Sequence, residues 1–201
     1  MILRRLIMIL LSAITLGVTA ALGVSAAQTG GTAGSSCDGG GVGLSSAEQR
    51  ILELHNQVRA DNGLQPLCVN PILTEAARAH SQDMIDRGYF SHTSPDGETY
   101  PARMGRFGYA SDTVGENIGG GSDSLGEPDA VFFENWMNSS EHSSAILNGS
   151  FREIGIGAST GTYNGYNNFT MYTVDFGSGQ GEGEPAASEP PLTNETPVET
   201  I

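Results

Sequence analysis

Three side chains of the 201-residue chain have the types needed for a reactive or ligand-holding centre: His92, Glu116 and His142. His92 sits in Ser91-His92-Thr93-Ser94-Pro95-Asp96-Gly97, an irregular stretch behind an aromatic pair. Loops carried on a rigid scaffold are where reactive groups are commonly placed. Glu116 follows Gly115, and His142 lies in a Ser/Glu/His break between two helical segments. Two imidazoles and one carboxylate would suit Zn²⁺ or another divalent metal, with water in the open position. The same groups could run acid–base chemistry, a carboxylate orienting an imidazole, so they are also the catalytic candidates. A third possibility is a hydrogen-bonded network that holds loops together. Spacing does not choose among these, because the intervals are 24 and 26 residues and neither HExxH nor CxxC occurs. His55 and His80 fall on the apolar sides of helical patterns and read as structural.

The elements that must position these groups are legible as periods and caps. A first helix starts at Ser45 or Ser46, with Glu48 or Gln49 placed for a capping box. It carries the stripe Ile51, Leu54, Val58 and stops at Asn62-Gly63. A second has Asn70 as N-cap and Pro71 in its first turn, with Leu73, Ala77, His80 and Met84 on one face, ending at Gly88. A third runs from about Pro128 through Trp136, burying Val131, Phe132 and Trp136, and a short fourth spans Ser143 to Leu147. The period then changes. Ile154, Ile156 and Ala158 alternate with small or polar residues, Asn164-Gly165 marks a turn, and Phe169 to Phe176 alternates again. Val114 to Ile118 is a candidate third strand. Helices followed by strands indicate an α+β fold with helices packed on a small antiparallel sheet.

The boundaries follow from composition. Arg4 and Arg5 precede an apolar run from Leu6 to Val24 and the small residues Ser25-Ala26-Ala27, so residues 1–27 read as a cleaved signal peptide. An uncleaved membrane anchor is the alternative. Residues 28–44 form a Gly/Ser-rich flexible arm, and residues 45–177 the folded domain. Residues 178–201, with five glutamates, four prolines and no basic residue, are too polar to offset their ordering entropy and read as a disordered acidic tail. Without the leader the chain has 7 basic and 23 acidic residues and no lysine. That charge disfavours nucleic acid and anionic lipid as partners. Export makes a Cys37–Cys68 disulfide chemically reasonable; closing that loop would contribute about 3–4 kcal/mol by the chain-entropy argument. Two unpaired thiols are the alternative.

Ordered motifs then narrow the choice. Leu54-His55-Asn56-Gln57-Val58-Arg59-Ala60 leads to Gly63-Leu64 and Pro66-Leu67, then Tyr89-Phe90-Ser91-His92-Thr93-Ser94-Pro95-Asp96-Gly97. Gly115-Glu116-Asn117-Ile118, Trp136-Met137-Asn138-Ser139, His142, Glu153-Ile154-Gly155-Ile156-Gly157 and Asp175-Phe176-Gly177 complete the series. This order resembles the CAP superfamily (cysteine-rich secretory, antigen 5 and pathogenesis-related proteins; the SCP domain), bacterial branch. The resemblance implies an α–β–α sandwich, a small antiparallel sheet between helical layers, and a cleft with two histidines and two acids that binds divalent metal in some relatives. His92, Glu116 and His142 match three of the four. The second glutamate of eukaryotic members falls at Ser139, with Glu141 standing beside His142.

The expected function is a secreted, monomeric binding protein, extracellular or in the cell envelope, with no membrane span after signal cleavage. Its His/Glu/His cleft would take a divalent metal and a small apolar or cell-envelope ligand. The alternative is a metal-assisted or acid–base hydrolase, peptidase-like, using the same cleft; no nucleophile elbow is present to favour it.

Overall fold

The computed structural model describes residues 42–122 and 128–179. The signal peptide, the arm up to residue 41, Cys37 with its expected pairing, and the tail from residue 180 lie outside the described residues.

Helix α1 (Ser46–Asp61) begins with the capping box: the Ser45 backbone N–H donates to Glu48 at 2.7 Å, and the Glu48 N–H to the Ser45 hydroxyl at 3.3 Å. Strand β1 (Cys68–Val69) is cut short because Asn70 at once caps α2 (Pro71–Arg87), its side chain accepting from the N–H groups of Ile72 and Leu73. Gly88 stops α2 in the left-handed region at φ 66°, where a glycine carries no steric penalty. Then come α3 (Tyr100–Phe107), β2 (Val114–Ser122), α4 (Pro128–Asn138), α5 (Ser140–Ile146), β3 (Glu153–Tyr163) and β4 (Tyr166–Gly177). Helix α3 and strand β1 were not expected from the sequence.

The sheet order is β1-β3-β4-β2. Strands β2, β4 and β3 pair antiparallel as expected, whereas β1 joins β3 in parallel through two residues. Alternation sorts the side chains. Ile154, Ile156, Tyr172, Val174 and Phe176 face Ile51, Leu52, Phe132, Phe133, Trp136 and Ile146. On the other face Ile118 and Met171 meet Met84 of α2, and Leu73 and Ala76 of α2 meet Met104 of α3. Helices thus cover both faces of the sheet, the expected sandwich, with β2 at one edge. No helix among the described residues is long and apolar enough to cross a membrane.

Two helix faces differ from the expected ones. In α1 the buried set is Glu48, Ile51, Leu52, His55 and Arg59, while Leu54 and Val58 sit at its margin. The charged members are tolerated because each is paired. Glu48 takes Arg78 of α2 at 2.7 Å on both oxygens, and Arg59 donates to the carbonyls of Gln65, Ile146, Asn148 and Phe151. In α4, Phe133 is buried where Val131 was expected; Val131 is 40% exposed.

His55 is structural, as its place in the helix suggested. It is fully buried, donates from Nδ1 to the Ile51 carbonyl at 2.8 Å, and lies against Phe133, Trp136 and Phe176. Burial pushes its pKa down to about 4, the Ile51 bond opposing this in part and the nearby Arg59 charge adding to it.

A methyl group at Gly155 would overlap the backbone of Leu73 and Thr74, since α2 rests directly on β3 there. Gly155→Ala should therefore cost about 3 kcal/mol, read from the urea midpoint at unchanged slope; an unshifted midpoint would refute the close contact. His55 binds its proton more weakly folded than unfolded, so its contribution is present above pH 6.5 and is lost as pH falls toward 4. Between those limits it should remove about 3 kcal/mol of stability, and His55→Gln should show a correspondingly shallower loss in unfolding titrations.

Candidate functional site

The site is built at the β2 edge from both helical layers. After Gly88 the chain leaves α2, and the Ser91 carbonyl accepts from His80 Nε2 at 3.0 Å, while Tyr89 donates its hydroxyl to Asp83 at 2.5 Å. His80 thus anchors the loop from the core side. A tight turn follows, closed by Gly97 N–H to the Ser94 carbonyl at 2.8 Å. Arg87–Asp96 and Arg106–Glu98, each at 2.6 Å, strap that turn to α2 and α3. Both straps are exposed and weak individually.

His92, held between them, is partly exposed, and its Nδ1 meets Glu116 Oε1 at 2.7 Å. A carboxylate only accepts, so Nδ1 carries the proton and Nε2 is the lone-pair nitrogen of the neutral ring. Glu116 is fully buried at the side chain, and its Oε2 accepts from Arg103 Nη2 at 2.5 Å. The same nitrogen reaches the His92 carbonyl at 3.4 Å. One buried guanidinium from α3 therefore holds both the carboxylate and the loop that uses it.

His142 comes from the opposite layer. Its ring stacks on Trp136 at 6.4 Å and 28°, its Nδ1 lies 2.9 Å from the Ser139 hydroxyl, and its carbonyl accepts from Asn117 Nδ2 at 3.2 Å. Burial lowers its pKa, and proximity to His92, when that ring is protonated, lowers it further, against a smaller opposing effect of Glu141. Adjacent strand residues do the sorting: Glu116 points to the α2–α3 side and Asn117 to the α4–α5 side. Ser139, at the place of the second glutamate, touches His142 as a hydroxyl. Glu141 is exposed and acts on His142 only through its charge.

His92 and Glu116 are thus in direct contact, whereas His142 touches neither and is held by Trp136, Ser139 and Asn117 of the other layer. Among the described residues no three His, Cys, Asp or Glu side chains are gathered closely enough to hold a metal ion. Glu116 already has both oxygens engaged, one by a cation.

Two functional-looking residues were not anticipated. Arg103 lies in the unexpected α3, and an arginine in a segment with no legible helical period reads as solvated. Asp175 stands opposite Glu116 in the β2–β4 ladder, fully buried. Its carboxyl is held well above the usual range, by burial first, then by the charge of Glu116 and a side-chain hydrogen bond to it, with Arg103 opposing. The available signal was its place as a lone acid in the alternating run from Phe169 to Phe176.

Comparison with known proteins agrees with this architecture. Residues 52–176 match the cysteine-rich secretory protein family, CAP. The uncharacterized protein YkwD of Bacillus subtilis is 41% identical over 114 residues, covering 57% of this chain and 43% of that protein. The uncharacterized membrane protein YlbC of the same organism is 34% identical over 112 residues, covering 56% of this chain and 31% of that protein. This chain therefore spans less than half of either relative. Among solved structures, an extracellular SCP-domain protein of Bacillus anthracis is similar at TM-score 0.54 and 28% identity, covering 67% of this chain and 44% of that one. An outer surface protein of Borrelia burgdorferi shares the fold at TM-score 0.58 and 18% identity, covering 68% of this chain and 95% of that one. The chain belongs to the CAP, or cysteine-rich secretory protein, family.

Proposed function

We propose that this CAP-domain protein is exported, with residues 1–27 as its leader, and works as a binding protein whose cleft takes a divalent metal and a small apolar or cell-envelope ligand. The observation that carries the metal reading is the bond from His92 Nδ1 to a buried carboxylate, which fixes the ring and leaves Nε2 as a basic donor. This is how a carboxylate commonly supports a metal-bound histidine. His142, with Nδ1 turned to Ser139, would supply its Nε2 as the second nitrogen donor. The fitting donor set is these two imidazole nitrogens with water, Glu116 acting behind His92 and not as a ligand. The metal would supply charge to orient a polar group of the ligand. Phe90, 50% exposed and two residues before His92 in sequence, would supply an apolar surface to the ligand. Export is supported by the extracellular and outer-surface descriptions of the similar structures.

Hydrolysis is the competing reading, and one observation favours it: the 2.9 Å contact between Ser139 and His142. A nucleophile–base pair also needs a third group orienting the base, and among the described residues no carboxylate hydrogen-bonds His142.

Zinc titration of the metal-free protein at pH 7.5, followed by competition with a chromogenic chelator, tests the proposal. His92→Ala and His142→Ala should each weaken zinc by at least about tenfold, since each removes a ligand. Lowering the pH toward 5.5 should weaken binding in the wild type as the imidazoles take up protons. Equal affinity in the wild type and the double variant would exclude the cleft as the metal site. Labelling of Ser139 by a fluorophosphonate probe would support the hydrolase instead.

A further inference from the structure

The cleft leaves the far end of the β3–β4 hairpin without a role. The β2–β4 ladder ends at Ser122 opposite Phe169, so among the described residues 162–168 are held by β3–β4 pairing alone. Asn164 and Gly165 close the turn at φ 48° and 84°, the left-handed pair that a two-residue hairpin loop needs. Behind the turn the register shifts between Gly161 and Tyr163, and Asn168 sits at φ 52°. A bulge of this kind re-aims the side chains beyond it. Tyr163 and Tyr166 pair across the strands and so share one face. Tyr163 is half-buried, its ring 5.1 Å from Phe169, and both pack on the cluster of Met84, Ile118 and Met171; Tyr166 is 62% exposed. Thr162 Oγ1 donates to Asn167 Oδ1 at 3.1 Å, which orients that amide. The composition here departs from the rest of the chain. Residues 154–174 contain no Asp, Glu, Lys or Arg, in a protein with 23 acidic residues.

We propose that this hairpin tip, with Tyr166 as its anchor, binds a neutral glycan chain. Exposed tyrosine offers rigid, amphipathic contact area at little entropic cost, and asparagine offers adaptable hydrogen bonding. A pyranose ring presents the complement, an apolar C–H face to lie on the Tyr166 ring and hydroxyls to meet the amides of Asn164, Asn167 and Asn168. An acidic glycan would find no cation on residues 162–168, and the protein's net charge of −14 would repel it. A protein partner needs roughly 20–30 residues on each side, far more than the seven residues 162–168 supply. A free small molecule needs a concave site, and a projecting two-stranded ribbon is convex. A polymer overcomes the weakness of each single contact, because its repeating rings engage several copies of the protein at once. Asp175, the partner of Glu116, lies along β4 about 30 Å from Tyr166 at the usual rise of a strand. The tip is therefore a surface separate from the cleft.

The test passes the full chain, without added metal, over immobilised chitin, cellulose, mannan and galactan, with alginate and heparin as anionic counterparts. The wild type should be retained on at least one neutral glycan, and high salt should not release it, since no ion pair is involved. Tyr166→Ala should weaken retention by at least about tenfold, while Tyr166→Phe, which keeps the ring, should stay within about threefold of the wild type. Zinc titration of the Tyr166 variants should match the wild type. If Tyr166→Ala does not fold, Tyr166→Thr is read in its place. No retention on any neutral glycan, retention on the anionic ones alone, or equal retention by Tyr166→Ala overturns the proposal. So does loss of retention in the His92→Ala/His142→Ala protein, which would put the glycan in the cleft. A concentration-dependent dimer in sedimentation, abolished by Tyr166→Ala, would give the tip to a second copy of the chain instead. Failure of zinc to bind leaves the glycan result standing, and the reverse holds equally.

Discussion

Two formal charges, Arg103 and Glu116, meet at 2.5 Å where almost no solvent reaches either side chain. Such a pair adds little net stability, because desolvation consumes most of the Coulombic gain, but removing one partner strands the other at about 3–5 kcal/mol. The pair therefore acts as a constraint on geometry more than as a source of stability. It requires α3 to lie against β2, it requires the 89–99 loop to pass within reach of the same guanidinium, and it decides which nitrogen of His92 faces outward. A chain that lost this contact would still have its two apolar cores but would have no reason to present His92 in one orientation.

The sheet makes that constraint possible by letting α2 come unusually close. Gly155 and Gly157 on β3 leave no side chain between strand and helix, so the backbone of α2 rests on the sheet at Leu73–Thr74 and Ala77–Arg78. That approach brings His80 under the Ser91 carbonyl and lets Ser81 donate to the Gly157 carbonyl at 3.0 Å. Position along α2 thus fixes where the His92 loop begins.

How much was legible in the sequence follows from the range of each interaction. Ser45 with Glu48, and Asn70 with Pro71, declare themselves within four residues, so both helix starts could be read directly. The hairpin announced itself at Asn164-Gly165, with Asn164 at φ 48° and Gly165 at φ 84°. Helix α3 could not be read, since its eight residues span barely two turns, include Gly105, and follow a Thr99 cap that makes no side-chain bond. The His92–Glu116 contact was reached through motif order, because a 24-residue separation implies nothing about distance. Arg103 and Asp175 stayed hidden for a related reason. A buried charge looks like a surface charge until strand register and helix placement supply its neighbour.

Because β2 lies at the edge of the sheet, the cleft spans two layers. His92 is fastened to the α2–α3 layer and His142 to the α4–α5 layer, and each layer packs on its own face of the sheet. Whatever is gripped by both rings becomes a clasp between two separately packed cores, and its binding free energy is linked to their mutual alignment. Loosening either core, at a residue far from the histidines, would then register as weakened grip with every contacting atom still present.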